Sequence, residues 1–282
     1  MNKTVSIFFF LLFGVLPLTA GLVYSLAYSF GLTGALNHGF TTVYWQKALS
    51  MPDVWTSLIL SVAISLCVMG AAFFLAITLT TRMGDRLQRP ISRFFLRMPL
   101  SIPPLVAAFI SFQWLGNSGM LARLAIRTGL IGNLQQFPAL INDTCQIGIL
   151  TTLLLLTFPF ILLFMLDQYQ RSELRSLSDL ASSLGASEKQ IREKVVRPVL
   201  FHRMLPTLLM YGIFLCGAYE VPLLLGSQSP AMVSVLMAQK FKKYNLDDLP
   251  VAYAITVVYA ALTIVSMAVF WKLNARRNSI TV

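Results

Sequence analysis

Gly116-Asn117-Ser118-Gly119 is the stretch of this 282-residue sequence that comes nearest to reactive chemistry. It reads as G-x-S-G, a pattern on which an intramembrane serine protease would carry its nucleophile. A serine hydroxyl needs a base within hydrogen-bond reach, usually a histidine. There are two histidines, His38 and His202. The membrane topology derived below puts His202 across the bilayer from Ser118, and His38 in a loop without the helical context of such proteases. No catalytic residue is assigned. The sequence contains no Gly-Lys dipeptide, so a phosphate-cradling G-x-x-x-x-G-K-[ST] loop is excluded. Cys67, Cys145 and Cys216 lie scattered in or beside apolar runs, without the close ligand spacing of a zinc site. They read as small apolar packing residues, and neither a metal nor a cofactor is expected on this chain.

Glu220 is a candidate of another kind, because it is the one acidic residue well inside a long apolar run. An ionisable group at membrane depth is expensive and usually faces a bundle interior or a water-filled cavity. Two readings stand. Glu220 is a cavity carboxylate that meets a cationic substrate or gates access, or a structural carboxylate bonded to a neighbouring helix. Tyr219 beside it, with Gln113 and Asn117 at the end of another apolar run, completes a candidate translocation path. Trp114 reads as part of an interfacial aromatic belt, and Asp53 and Asp167 as head-group contacts at span ends.

The elements that must hold these residues follow from composition. Hydrophobic residues make up 56% of the chain and charged ones only 12%, about half the charge of a soluble protein. Such a chain lacks the polar surface to cover a globule in water. Apolar stretches recur near 5–29, 55–80, 97–116, 145–167, 205–226 and 250–271, each long enough to cross about 30 Å of hydrocarbon as a helix. A run such as Leu153-Leu154-Leu155-Leu156 lacks the alternation of a membrane barrel strand. The expected fold is an all-α integral membrane protein, one domain over residues 1–282. The first stretch is longer than a cleavable signal core and reads as a retained helix.

The net charge of +11 might suggest nucleic acid, but the basic residues sit in short loops between apolar runs, and no nucleic-acid partner is expected. With the N-terminus inside, 16 of the 22 lysines and arginines fall in inner segments and 6 in outer ones. That bias puts both termini in the cytoplasm. The outer set includes Lys240, Lys242 and Lys243, which would face an acidic partner or solvent. Pro99, Pro103, Pro104, Pro159 and Pro222 mark spans with kinks.

The largest inner segment runs over 168–204. Leu174, Leu177, Leu180, Ala181 and Leu184 form one apolar helical stripe. Gly185 interrupts it, and Ser187 with Gln190 has the spacing of a capping box that starts a second helix carrying Ile191 and Val195. Periodicity alone leaves open a pair of interfacial helices on lipid or a compact knob below the membrane.

The run DLASSLGASEKQIREKVVRP closely resembles the loop motif of permease subunits in ATP-binding cassette importers, E-A-A-x-x-x-G-A-S followed by a downstream proline. Asp179 stands at the acidic position, Ala181 at the second alanine, Gly185 at the central glycine, then Ala186 and Ser187, with Pro198 downstream. Leu180 replaces the first alanine, Arg192 stands where an aromatic is frequent, Arg197 takes the usual leucine position, and His202 stands where a second proline is common. Ser101-Ile102-Pro103-Pro104-Leu105-Val106 resembles the proline-rich entry to the third span of the same permeases, and 230–243 their short outer helix, begun by Ser229 and Pro230.

The resemblance covers nearly the whole chain and belongs to the MetI-like fold of type I importers, nearest to the polyamine, ferric-ion and thiamine-type subgroup. It implies that Asp179, Ala181, Gly185, Ala186, Ser187, Arg192, Arg197 and Pro198 couple the chain to an ATPase. It further implies a non-enzymatic subunit of the bacterial cytoplasmic (inner) membrane, working with two ATP-binding cassette subunits that hold ATP-Mg. A second permease subunit, homologous or identical, and an extracytoplasmic substrate-binding protein complete the implied assembly. An ion-coupled secondary transporter is the alternative, though no internal repeat of the spans supports it.

Overall fold

The computed structural model describes residues 3–34, 39–242 and 246–278. His38 and Lys243 lie outside the described residues. Among the described residues all regular structure is helical, as expected where apolar surroundings force each backbone N–H to find its partner within the same segment. In chain order the helices are α1 (Thr4–Ser29), α2 (Val43–Ser50), α3 (Pro52–Leu87), α4 (Pro90–Arg97), α5 (Pro104–Leu115) and α6 (Met120–Arg127). They continue with α7 (Ile147–Tyr169), α8 (Ser172–Ser183), α9 (Glu188–Cys216), α10 (Glu220–Leu225), α11 (Val233–Phe241) and α12 (Asp248–Asn278).

Six segments of the described residues are long and apolar enough to cross a membrane: Thr4–Ser29, Pro52–Leu87, Pro104–Arg127, Ile147–Tyr169, Glu188–Cys216 and Asp248–Lys272. Their outer faces are apolar. Phe8, Phe13, Ile59, Leu66, Phe74 and Trp271 are all exposed, an exterior suited to hydrocarbon and not to water.

The chain divides into two compact units, residues 1–59 with 233–282, and residues 60–232. In the first, α1, α2 and α11 each pack on α12 around Ala48, Val54, Leu58, Val251 and Ile255. The Tyr28 and Tyr253 rings meet at a tilt of 34° with centroids 4.4 Å apart, and the Trp45 indole N–H donates to the Ser29 hydroxyl at 3.1 Å. In the second unit α7 is the central helix. Its Ile161, Leu162, Met165 and Leu166 meet Leu200 and Met204 of α9 in one core. The Ser65 hydroxyl of α3 donates to the Gly212 carbonyl of α9 at 2.6 Å.

Two prolines follow a widened turn, whereas Pro159 and Pro206 sit inside α-helix without one. One π turn, Leu11–Val15, precedes Pro17 in α1. A second, Arg192–Val196, precedes Pro198 in α9. A proline ring crowds the carbonyl four residues back and offers it no donor, and a widened turn absorbs both defects without ending the helix.

Two stretches differ from the sequence expectation. The apolar run near 97–116 is not one helix. A 3-10 turn at Met98–Ser101 leads through Pro103 into α5, only 12 residues long and about 18 Å in length, and 116–119 turn the chain into α6. The run near 205–226 is also divided. Its helix begins far earlier, at Glu188, ends at Cys216, and gives way at 217–219 before α10 starts on Glu220.

Candidate functional site

The segment between α7 and α9 is built from two interlocking helix caps, both within the second unit. At the end of α8 the Ala186 N–H donates to the Ala181 carbonyl at 3.1 Å and the Gly185 N–H to that of Ser182 at 2.9 Å. This six-to-one plus five-to-two pair is a Schellman motif, which requires a left-handed residue just past the cap. Gly185 supplies it, with φ +83. A Cβ there would touch nothing within 4 Å, so glycine is demanded by backbone conformation and not by crowding.

Two residues later the chain starts again. The Ser187 Oγ accepts from the Gln190 N–H at 3.4 Å, and the Gln190 side-chain oxygen accepts from the Ser187 N–H at 2.9 Å, closing a capping box. Ala181, Gly185, Ala186 and Ser187 therefore have definite tasks: a carbonyl acceptor, a left-handed pivot, an amide donor and an N-cap. The helix so begun does not stop after a turn or two. It runs unbroken from Glu188 to Cys216, past Pro198, about 44 Å at 1.5 Å per residue.

The apolar stripe of α8 is divided between two environments. Leu174 is 1% exposed and belongs to the core with Val196 and Leu200. Leu177, Leu180 and Leu184 lie on the surface, Leu184 at 88%. Asp179 is also exposed, off the face that carries the leucines, and Ala181 is half-buried. On α9, Arg192 and Arg197 are half-buried, and the Arg197 Nε is buried without a hydrogen-bond partner. The arrangement presents three leucines and a carboxylate at a rigid corner.

The corner is anchored where α7 ends. Arg93 of α4 pairs with Asp167 at 3.0 Å and donates to the Gln170 side-chain oxygen at 3.1 Å. The Gln170 amide in turn donates to Gln88. Asp167 thus meets an arginine, where the sequence suggested head groups. Its spacing of three from Gln170 on one helix face, opposite the arginine-rich 82–97 segment, was the available signal. Gly84 lies against Tyr169, whose ring a Cβ would meet at 3.0 Å, so α3 approaches α7 closely here.

The four path candidates fall into two pairs. Gln113 and Asn117 line one open cavity of about 540 Å³, together with Trp114, Ser118 and Arg123. Tyr219 and Glu220 do not line it. Glu220 is the exposed first residue of α10, not a residue deep in a long span, although α10 packs on α5, the helix that carries Gln113. Ser118 lies in the α5–α6 turn, where its carbonyl accepts from the Arg123 Nε at 3.0 Å. His202 is on α9 with its Nδ1 2.6 Å from the Pro198 carbonyl oxygen.

Comparison with known proteins agrees with this architecture. The family described as binding-protein-dependent transport system inner membrane component matches residues 72–279. A probable sulfate transport system permease protein of Chlorella vulgaris is 24% identical over 176 residues, 61% of this chain. The aligned region spans 62% of the length of that relative. A bacterial ABC transporter involved in the import of the acidic polysaccharide alginate has a chain of the same fold, with TM-score 0.71 and 14% identity, covering 96% of this chain and 92% of that one.

Proposed function

The chain belongs to the binding-protein-dependent transport system inner membrane components, the permeases of ABC importers, and from that premise we propose how it transmits ATP-driven motion to a path for a small solute. It is a multi-pass inner-membrane protein, and in this reading both termini are cytoplasmic, so that the 184–187 corner faces the cytoplasm. Two ATP-binding cassette subunits carrying ATP-Mg grip that corner. A second permease subunit, homologous or identical, completes the path, and a substrate-binding protein delivers the solute from outside. Both compact units of the chain serve this one permease role.

The observation that carries the proposal is the exposed Leu177, Leu180 and Leu184 stripe at a corner fixed by two caps to one continuous helix. Three leucines facing water cost free energy that burial in a partner's cleft recovers, about 25 cal/mol per Å² covered. Asp179, Arg192 and Arg197 supply charge-assisted contacts that select the ATPase. When the ATPases close on ATP, the corner moves with them. The Glu188–Cys216 helix carries that displacement as a rigid lever to the break at 217–219, next to Tyr219 and Glu220. Alternating access follows if the lever's two positions expose the path to opposite sides. Gln113 and Asn117 line the path at the cavity, and Glu220 acts at its gate.

The test is association. Leu180→Asp combined with Leu184→Asp should abolish co-purification with the ATPase subunits while the chain still inserts in the membrane, and undiminished co-purification would remove the corner as the docking site. Glu220→Gln should leave that association intact and slow uptake into vesicles. Uptake at the parent rate would take Glu220 out of the path.

A further inference from the structure

Among the described residues α4 carries another exposed apolar face, and its surroundings differ from those of the α8 corner. Ile91, Phe94, Phe95 and Met98 stand at the i, i+3, i+4, i+7 positions of a single helical stripe, and all four are exposed, the two phenylalanines at 64% and 63%. The opposite side of the helix is occupied. Leu96 packs on the core and Arg93 is held by Asp167 and Gln170. The stripe therefore points away from the bundle and is fixed in that direction. Around it the exposed charges at 82–97 are Arg82, Arg86, Arg89 and Arg97 against one acid, Asp85.

Chain continuity adds a positional constraint. α4 begins three residues after Leu87, the end of one membrane-length helix, and Pro104 opens the next segment soon after Arg97. A helix tied so closely to two spans lies at the membrane surface. An amphipathic helix with an aromatic apolar face and an arginine rim is the form that settles in the head-group and acyl boundary, and arginines there attract acidic head groups. The α8 corner instead mixes signs, with Asp179 exposed on α8 and Arg192 half-buried on α9.

We propose that α4 is a lipid-binding surface anchor. Ile91, Phe94, Phe95 and Met98 enter the upper acyl region, and Arg86, Arg89 and Arg97 hold the phosphates of acidic phospholipids. This function rests on the chain's membrane placement and is independent of ATPase docking at the α8 corner. By tethering α4 to the membrane plane, it also gives the end of α7, through Arg93 and Asp167, a fixed reference against which the corner moves.

The test places p-benzoylphenylalanine at position 95 of the full chain, co-expressed with its partner subunits and reconstituted in vesicles of equal phosphatidylcholine and phosphatidylglycerol. After illumination, adducts are identified by mass. Phosphatidylglycerol adducts should exceed phosphatidylcholine adducts by about fivefold, the factor expected from a single arginine near an acidic surface. Replacing Arg86, Arg89 and Arg97 together by Gln should bring the two to parity, and the triple lysine variant should keep the preference. The same probe at position 96 should cross-link within the chain in every variant, confirming that α4 is seated. Cross-links from position 95 to polypeptide, whether a second permease or another copy of this chain, overturn the proposal, as does an equal yield of the two lipids in the parent.

Discussion

At the 184–187 corner a Cβ on Gly185 would meet nothing within 4 Å, whereas at the 116–119 turn a Cβ on Gly119 would lie 2.6 Å from the Gln113 carbonyl oxygen and within 2.9 Å of two more. Both glycines mark a break between helices, and they are needed for opposite reasons. Gly119 lets a turn fold back against the end of its own helix, so its role ends inside the chain. Gly185 has a left-handed backbone in open surroundings, and the space around it stays available to a partner. A residue pattern that resembled catalysis is thus explained by close backbone packing, and a pattern that resembled a docking motif is explained by caps that leave a surface uncovered.

The comparison breaks first at Gly119. Gly119→Val drives side-chain atoms into three backbone carbonyls that have no freedom to rotate away, and should destabilise the folded chain by about 3 kcal/mol. A stability measurement in detergent or nanodiscs reads this directly, and a parent-like midpoint would show that the turn is looser than the geometry states. The corner is expected to tolerate more. Ser187→Ala removes one half of the capping box and should cost about 1 kcal/mol. It should lower transport modestly at unchanged membrane insertion, with Ser187→Asp, an equally good N-cap, restoring the parent rate. Failure of the Asp variant to rescue would mean that Ser187 acts by contacting the partner and not by starting the helix.

Much of this was legible in the residues. Hydropathy located the apolar spans because a 20-residue apolar run has few alternatives to a membrane helix. The corner was legible because Gly185 and the Ser187 and Gln190 pair encode local hydrogen bonds, which need no knowledge of the rest of the fold. The breaks were not. Residues 205–226 stay apolar through Leu225, and only Gly217 hints that the helix ends at Cys216. The unbroken α9 was hidden by Pro198, which reads as a helix boundary until a π turn is seen to absorb it. Asp167 and Arg93 are 74 residues apart, and no local rule joins them. Glu220 shows the cost of these omissions. Its place inside one continuous span was inferred from the length of the run, and the structure puts it at the exposed start of a separate six-residue helix.

The α4 stripe has the spacing of an amphipathic helix, but exposure is what gives it meaning. The apolar stripe on α8 buries Leu174, half-buries Ala181 and leaves Leu177, Leu180 and Leu184 bare. Which face of an amphipathic helix meets the core depends on the neighbours it finds, and those are set by tertiary packing.

The central claim is that the 184–187 corner transmits force, and one pair of rates tests it. Gly185→Val puts a β-branched residue at φ +83, a strain of about 1–2 kcal/mol, and should loosen the joint although its Cβ meets no atom within 4 Å. In a reconstituted assembly containing the binding protein and both ATPase subunits, ATP hydrolysis should continue while solute uptake falls at least tenfold. Uptake that remains coupled to hydrolysis at the parent ratio would contradict the account.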